Sequence, residues 1–98
     1  MHIITRRRLR EFAARFRDAE KPLAAWYHMV KRGRYANPND VRVDFPTASF
    51  LGAHRTVFNI GGNKFRLVVD MRYRHQRVYI VHVQTHAEYD DKTKDGTL

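Results

Sequence analysis

The chain has 98 residues, enough for one domain with a single core, and its lack of cysteine excludes disulfides and thiolate zinc sites. No apolar run approaches the ~18 residues of a membrane span, and the charged N-terminus lacks the apolar region of a signal peptide, so we expect a cytoplasmic protein. Its 19 Lys and Arg residues, 14 of them arginine, give a net charge of +9, which predicts a polyanionic partner such as RNA, DNA or an acidic protein segment.

The N-terminal third predicts a short strand and two helices. His2-Ile3-Ile4 is the strand candidate, and Thr5 is placed to cap the helix that follows. That first helix lies within residues 6–18, because apolar residues recur there at helical spacing: Leu9, Phe12, Ala13 and Phe16. A second helix is predicted from about Pro22 to Gly33, with its own apolar stripe: Leu23, Trp26, Tyr27 and Val30.

The arginines of residues 6–17 cover the outer side of the first helix. They can form an ordinary solvated face, or a surface that binds phosphate or an acidic peptide.

Residues 35–53 are predicted to be irregular. Residues 37–40 (Asn-Pro-Asn-Asp) favour a turn or a helix cap, and Pro46 prevents a long helix. Four apolar side chains in this region are expected to enter the core: Val41, Val43, Phe45 and Phe50. Residues 91–98 are polar and are predicted to be a frayed tail.

Three antiparallel strands are predicted at roughly 56–60, 63–73 and 77–86. Gly61-Gly62 indicates a two-residue hairpin turn, which would pair Phe58 with Phe65 and Thr56 with Leu67. The predicted fold is therefore α+β, with two N-terminal helices packed on one face of a small, mainly antiparallel sheet in a single domain over residues 1–98.

The second hairpin is expected to close through three or five residues, because a two- or four-residue connection would mix polar and apolar faces. Leu67 then pairs with Val83, and the apolar face continues with the pairs Val69–Val81 and Met71–Tyr79. The opposite, open face collects polar groups in three pairs: Lys64–His86, Arg66–Gln84 and Val68–His82.

Four side chains near one end of that open face form a set that can cleave RNA without a metal: Lys64, Arg66, His86 and Tyr89. Arg66 suits stabilisation of the phosphorane charge, and an imidazole such as that of His86 can serve as base or acid near neutral pH. Tyr89 can donate a proton or stack on a base, and Lys64 can hold a flanking phosphate. The plainer interpretation is that Arg66 and Lys64 are exposed strand residues and that His86 ends the strand.

Other chemistry is poorly supported by the sequence. His82 and His86 are four apart on a predicted strand, roughly 13 Å, too far to share a metal ion. No acidic pair, serine elbow or phosphate loop is present.

Two motifs carry a resemblance to a known family: VFNIGGNKFRLV at residues 57–68 and THAEYD at residues 85–90. With the opening MHIIT, they closely resemble the HigB toxins, a branch of the RelE-like toxins of bacterial type II toxin–antitoxin systems. The resemblance implies an α+β fold and an endoribonuclease that cleaves mRNA, typically on translating ribosomes. It also implies a HigA-type antitoxin with a helix-turn-helix domain, which would make any contact with operator DNA.

The candidate catalytic residues are thus Lys64, Arg66, His86 and Tyr89, with no cofactor and no metal. The candidate RNA-binding residues are Arg55, Asn63, Arg72, His82, Gln84, Asp90 and Lys92. Two alternative functions use the same charge: a non-catalytic RNA-binding module, or an interaction domain that docks an acidic chain through residues 6–17.

Overall fold

One five-stranded sheet organises the protein. The structure, a computed structural model, describes residues 1–52 and 54–95, and only the backbone within 91–95. The sheet order is β1-β5-β4-β3-β2, with β1 parallel to β5 and the other neighbours antiparallel. The strands are β1 (His2–Ile4), β2 (Ser49–Leu51), β3 (Arg55–Ile60), β4 (Phe65–Arg72) and β5 (Arg77–Thr85).

Helices complete the fold and confirm the α+β prediction. They are α1 (Arg7–Arg15), α2 (Glu20–Arg32), α3 (Pro38–Asp44) and α4 (His86–Asp95), with a 3₁₀ turn at Arg17–Ala19. None of the helices described is both long enough and apolar enough to cross a membrane.

The core lies between the sheet and the first two helices. Trp26 of α2 meets the edge of Phe58 on β3 at 5.4 Å between ring centroids, and Phe12 of α1 meets Phe65 of β4 at 5.5 Å. Leu67 and Met71 of β4 are fully buried on the same face. Each large side chain buried here stabilises the fold by roughly 1.5–3 kcal/mol, so α1 and α2 hold β4 firmly in place.

The ends of the first two helices differ from the sequence prediction. Thr5 does not cap α1: its φ is 71°, and Arg6 is the residue before the helix, without a side-chain cap. Gly33 does end α2, but in an extended conformation rather than a left-handed one. Its lack of a side chain matters because an added Cβ would lie 2.6 Å from the Tyr35 ring.

The segment predicted to be irregular contains α3 and β2. Asn37 caps α3 by accepting a hydrogen bond from the Asp40 backbone N–H at 3.1 Å, and Pro38 occupies the first turn. Val41 is buried as predicted, whereas Val43 is 79% exposed, because it lies on the solvent side of α3. Phe45 and Phe50 pack against the edge of the core.

The first hairpin is two residues out of the predicted register. Gly61 and Gly62 have the predicted positive φ values of 65° and 71°, but the loop runs from Gly61 to Lys64, and Ile60 pairs with Phe65. Because the error is an even number, each side chain still faces the predicted side.

The second hairpin closes through four residues, 73–76, a length that the sequence argument had rejected. Leu67–Val83, Arg66–Gln84 and Val68–His82 pair as predicted, but Val69 then pairs with Ile80 and Met71 with Val78. A bulge leaves Val81 unpaired in the ladder, and this extra residue compensates for the even loop. The Arg8 guanidinium donates to the Val81 carbonyl at 3.0 Å, so α1 supports the bulge.

A capping box starts α4. The Glu88 N–H donates to the Thr85 hydroxyl oxygen and the Thr85 N–H donates to the Glu88 carboxylate, each at 3.2 Å. β5 therefore ends at Thr85, and His86 is the first residue of a helix rather than the last of a strand. The helix runs to Asp95, into the stretch predicted to be frayed, and residues 96–98 lie outside the described part of the chain.

Candidate functional site

A polar network forms where the β3–β4 loop, the start of β4 and the start of α4 meet. The loop supplies Asn63, β4 supplies Arg66, and α4 supplies His86 and Asp90. The His86 N–H donates to the Lys64 carbonyl at 2.9 Å, which continues the ladder between β4 and β5 by one step. This bond places the first turn of α4 directly beside the loop.

Arg66 is the centre of the network. Its Nη2 donates to the Asn63 Oδ1 at 2.7 Å and lies 2.8 Å from His86 Nδ1, while its Nη1 reaches the carbonyls of Asn63 at 3.3 Å and Phe65 at 3.2 Å. A guanidinium has four terminal N–H bonds, and four acceptors surround it here. The group is therefore held at a single position and orientation.

These contacts determine how the His86 ring carries its proton. Arginine can only donate, so we assign Nδ1 as the acceptor of the Arg66 N–H and place the ring proton on Nε2. Nε2 lies 2.7 Å from the Asp90 carboxylate, which accepts that proton's hydrogen bond. The order Asn63, Arg66, His86, Asp90 is thus a continuous chain of hydrogen bonds.

Helical spacing brings the acidic and aromatic partners to the histidine. Asp90 follows His86 by four residues and therefore lies on the same side of α4. Tyr89, three residues after His86, places its ring 5.9 Å from the Arg66 guanidinium carbon. Arg66, His86 and Tyr89 are consequently neighbours, as the sequence analysis expected.

Burial at the site differs from the expected open sheet face. Arg66 is only 8% exposed, and Val57, Val68 and Gln84 are buried on the same face. The prediction that this face is uncovered is wrong, because α4 packs against β4 and β5. The side chains of His86 and Asp90 are 39% and 59% exposed, so an RNA strand would meet them before it met Arg66.

Lys64 lies in the loop, outside β4, and its ammonium points toward the helices. It forms an ion pair with Asp18 at 3.5 Å, and both side chains are largely exposed. Asp18, in the 3₁₀ turn, is not among the residues that the sequence predicts for the site. Asp18 lies beside Lys64 because α1 packs on β4. The distance between the two residues in the sequence does not predict this contact.

The other predicted RNA-binding residues are dispersed. Arg55 is bound to Asp70 at 2.8 Å across β3 and β4, and Arg72 is exposed at the far end of β4. His82 lies in a depression formed partly by α1, and Gln84 is buried with no hydrogen-bond partner for its amide among the described residues. Gln84 is therefore out of reach of an RNA strand, and the Lys92 side chain lies outside what the structure describes.

Among the side chains that the structure describes, those of residues 1–52 and 54–90, no group of three or more potential metal ligands occurs.

Comparisons with known proteins agree with the resemblance seen in the sequence. A family model described as HigB toxin, the RelE-like toxic component of a toxin–antitoxin system, matches residues 19–92. The chain is 33% identical over 93 residues to the mRNA interferase toxin HigB of Escherichia coli strain K12, covering 92% of this chain and 88% of that protein. It is 27% identical over 96 residues to the mRNA interferase HigB of Escherichia coli O6:H1, covering 96% and 93%.

Proposed function

The chain belongs to the HigB toxin family, the RelE-like toxic components of toxin–antitoxin systems, and on that premise we propose that it is an endoribonuclease that cleaves mRNA without a metal ion. The translating ribosome presents the mRNA, and a HigA-type antitoxin with a helix-turn-helix domain neutralises the toxin and makes the contacts with operator DNA. The protein acts in the bacterial cytoplasm. The observation that carries the catalytic proposal is the 2.8 Å contact between Arg66 Nη2 and His86 Nδ1.

The reaction is attack of a ribose 2′-oxygen on the adjacent phosphorus. The 2′-O–H bond breaks as the 2′-O–P bond forms, and the P–O5′ bond then breaks to release a 5′-hydroxyl end and a 2′,3′-cyclic phosphate. A base must take the 2′ proton, a cation must stabilise the charge on the phosphorane, and an acid must protonate the 5′-oxygen.

Arg66 and His86 are suited to the first two tasks. The Arg66 guanidinium stays in place, and a phosphate oxygen of the RNA shares the N–H that points at His86. This sharing weakens the hydrogen bond to Nδ1, so that the Nδ1 lone pair can take the 2′ proton. The Asn63 carbonyl lies 3.1 Å from Nδ1 and can accept a hydrogen bond from the proton once it has arrived. The Asp90 carboxylate stabilises the resulting positive ring through Nε2.

Tyr89 is the proposed acid, and Lys64 the proposed holder of a flanking phosphate. The Tyr89 ring is near Arg66 and half-exposed, so its hydroxyl can reach a leaving oxygen on the bound phosphate. The Lys64–Asp18 ion pair is exposed and worth little, so a phosphate can displace Asp18 from the ammonium. Asn63 and Asp90, first considered as RNA ligands, act here as positioning residues for Arg66 and His86.

The decisive test replaces His86 with alanine and uses His28→Ala, on the exposed side of α2, as the matched control. We expect wild type and His28→Ala to arrest growth and to generate new mRNA 5′ ends within minutes of induction. His86→Ala should lower cleavage by about 10²–10⁴-fold while the protein remains folded by circular dichroism.

Two results would contradict the proposal at different levels. Full toxicity of a folded His86→Ala protein would eliminate this catalytic site. Growth arrest by the wild type without cleaved mRNA, even on translated message, would instead favour a non-catalytic RNA-binding toxin.

A further inference from the structure

The tip of the β4–β5 hairpin carries exposed positive charge that the proposed cleavage site does not use. We define the tip cluster as Arg72, Arg74 and Arg77, all of which are exposed. Arg72 and Arg77 are directly paired across the two strands, and like charges in that position destabilise a sheet. Within the described part of the chain, none of the three guanidinium groups forms an ion pair.

A depression beside the tip cluster combines a ring with cationic groups. It is lined by Asp70, Arg72, His75 and Tyr79, and the Tyr79 ring is half-exposed. The one carboxylate in this lining is already bound to Arg55 at 2.8 Å, so the field at the depression is set by the arginine. An aromatic ring on which a base can stack, next to a guanidinium for its phosphate, is the usual arrangement for binding single-stranded nucleic acid.

The other side of the tip has the same character. Arg74 and Arg34 line a second depression together with Tyr35, Ala36, Tyr73 and Gln76, and this lining includes no carboxylate. Positive charge therefore surrounds the tip. An acidic peptide would be attracted to it as well, but would make no use of the half-exposed Tyr79 ring beside Arg72.

The depression and the proposed cleavage site lie on one face of the sheet. Arg66 and Arg72 are six residues apart on β4, and an even separation puts both side chains on the same face. At ~3.3 Å per residue, the separation is about 20 Å, several times the distance between adjacent phosphates. An RNA strand of several nucleotides that binds at the exposed His86 and Asp90 side chains is therefore long enough to reach the tip cluster, but a dinucleotide is too short to do so.

We propose that the tip of the β4–β5 hairpin is a second RNA-binding site, in which Tyr79 stacks on a base and the tip cluster binds the phosphates of the same single strand. The proposal deepens the proposed function, because it identifies the substrate as a single-stranded RNA longer than the segment that is cleaved. It also means that RNA phosphates neutralise the charges of Arg72 and Arg77, which form no ion pair with the described residues.

The test compares two variants that lose the same charge. One is the triple variant Arg72→Gln, Arg74→Gln, Arg77→Gln, and the control is Arg10→Gln, Arg17→Gln, Arg32→Gln on the exposed sides of α1, the 3₁₀ turn and α2. Binding is measured by fluorescence anisotropy over a range of salt concentrations. The ligands are a long unstructured RNA with 2′-O-methyl groups, which lacks the attacking hydroxyl, and a dinucleotide of the same chemistry.

For the long strand, the logarithm of the binding constant falls linearly with the logarithm of the salt concentration. We expect the tip variant to make this slope less steep by about 2, at about 0.7 for each of three phosphates. It should bind the dinucleotide like wild type. Tyr79→Leu should weaken long-strand binding about tenfold without changing that slope, because it removes stacking and no charge. The helix control should keep the wild-type slope.

Three outcomes would overturn the second site: an unchanged slope in the tip variant, an equal loss of slope in the helix control, or wild-type affinity in a folded Tyr79→Leu protein. Loss of antitoxin copurification by the tip variant with RNA binding intact would identify a protein-docking surface instead. If the wild type binds the long strand with the tip-dependent slope but cleaves no natural RNA, the ribonuclease proposal fails and the second site stands.

Discussion

The two ends of β4 each present an arginine on the same face of the sheet, and the two arginines differ in burial and in bonding. Arg66 is 8% exposed and is surrounded by four hydrogen-bond acceptors. Arg72 is exposed, lies opposite another arginine, and forms no ion pair with the described residues. Hydrogen bonds fix the position of the Arg66 guanidinium, whereas Arg72 contributes an exposed positive charge.

This difference separates two tasks that a basic protein must perform on RNA. Stabilising a transition state requires a donor at a defined place before the substrate arrives, because reorganising it later costs free energy. Holding a flexible polyanion requires charge but little geometry, since displaced counterions supply most of the driving force. The buried end of β4 is suited to the first task and the exposed tip to the second.

The largest expected effect comes from replacing arginine by lysine at the buried end. Arg66→Lys keeps the charge but cannot supply four terminal N–H donors, so Asn63 and His86 lose partners. We expect cleavage to fall about 10²–10³-fold and the free energy of unfolding to fall by about 1–3 kcal/mol. Cleavage assays and urea unfolding would measure the two effects.

The matching change at the exposed end is Arg72→Lys. It should leave the free energy of unfolding and the activation free energy of cleavage within about 0.5 kcal/mol of wild type. If Arg66→Lys cleaves RNA as well as Arg72→Lys does, then Arg66 acts only through its charge. In that case the proposed contrast between the two ends of β4 is wrong.

The region around Arg66 shows what the sequence predicts well. Pairing of Arg66 with Gln84 and Leu67 with Val83 was predicted from the alternation of polar and apolar residues, and this pattern brought Arg66 and His86 together.

Helix α4 was missed because residues 86–95 have no clear apolar stripe. The available signal was the Thr85-x-x-Glu88 capping box, which would have predicted the helix and the pairing of His86 with Asp90.

At the hairpin tip, the sequence contains no comparable signal. Residues 78–81 are all apolar or aromatic, so alternation cannot show that Val81 is the extra residue of a bulge. The four-residue turn therefore looked incompatible with the apolar face. The burial of Arg66 was unpredictable for a related reason, because it depends on the packing of α4 against β4 rather than on any local pattern.

A smaller effect is expected at the partner of His86. Asp90→Asn keeps an oxygen that can accept from Nε2 but removes the charge that stabilises a protonated ring. We expect cleavage to fall about tenfold, since a charge-assisted hydrogen bond exceeds a neutral one by about 1.4 kcal/mol. A pH–rate profile would show whether the loss follows ring protonation; an unchanged profile and rate would exclude Asp90 as a positioning residue.

Hydrogen bonds of Tyr35 connect the loop at the hairpin tip to the rest of the fold. Its carbonyl accepts from Gln76 of the tip loop at 2.7 Å, and its hydroxyl donates to Asp44 at 2.7 Å. Tyr35→Phe should lower the free energy of unfolding by about 1 kcal/mol at neutral pH, because one hydrogen bond is lost. Salt-dependent RNA binding should persist, since the backbone contact with Gln76 is retained.

The same variant makes a prediction about alkaline stability. Burial, and then the hydrogen bond to Asp44, raise the pKa of Tyr35 well above its ordinary value. Below about pH 10 the phenol is neutral in both folded and unfolded chains, and its contribution to stability is complete. At higher pH only the unfolded chain ionises, so wild-type stability should fall with rising pH, and Tyr35→Phe should flatten that slope.

The smallest effect is also the most specific to the exposed end. Arg72→Glu places a carboxylate opposite Arg77 and converts a repulsive cross-strand pair into an attractive one. We expect the free energy of unfolding to rise by about 0.2–1 kcal/mol while RNA affinity falls, since a phosphate contact is replaced by a negative charge. Arg77→Glu should have the same effect. In the double variant Arg72→Glu, Arg77→Glu, two carboxylates face each other and repel, so the gain in stability should disappear.

If Arg72→Glu raises the free energy of unfolding and lowers RNA affinity, then the Arg72–Arg77 pair destabilises the fold and favours RNA binding. Thermal unfolding and anisotropy on the same samples would measure both. If the variant lost stability together with affinity, Arg72 would have an unrecognised structural role. The tip would then resemble the buried end of β4, and the contrast between geometry and charge would no longer explain why arginines occupy both ends.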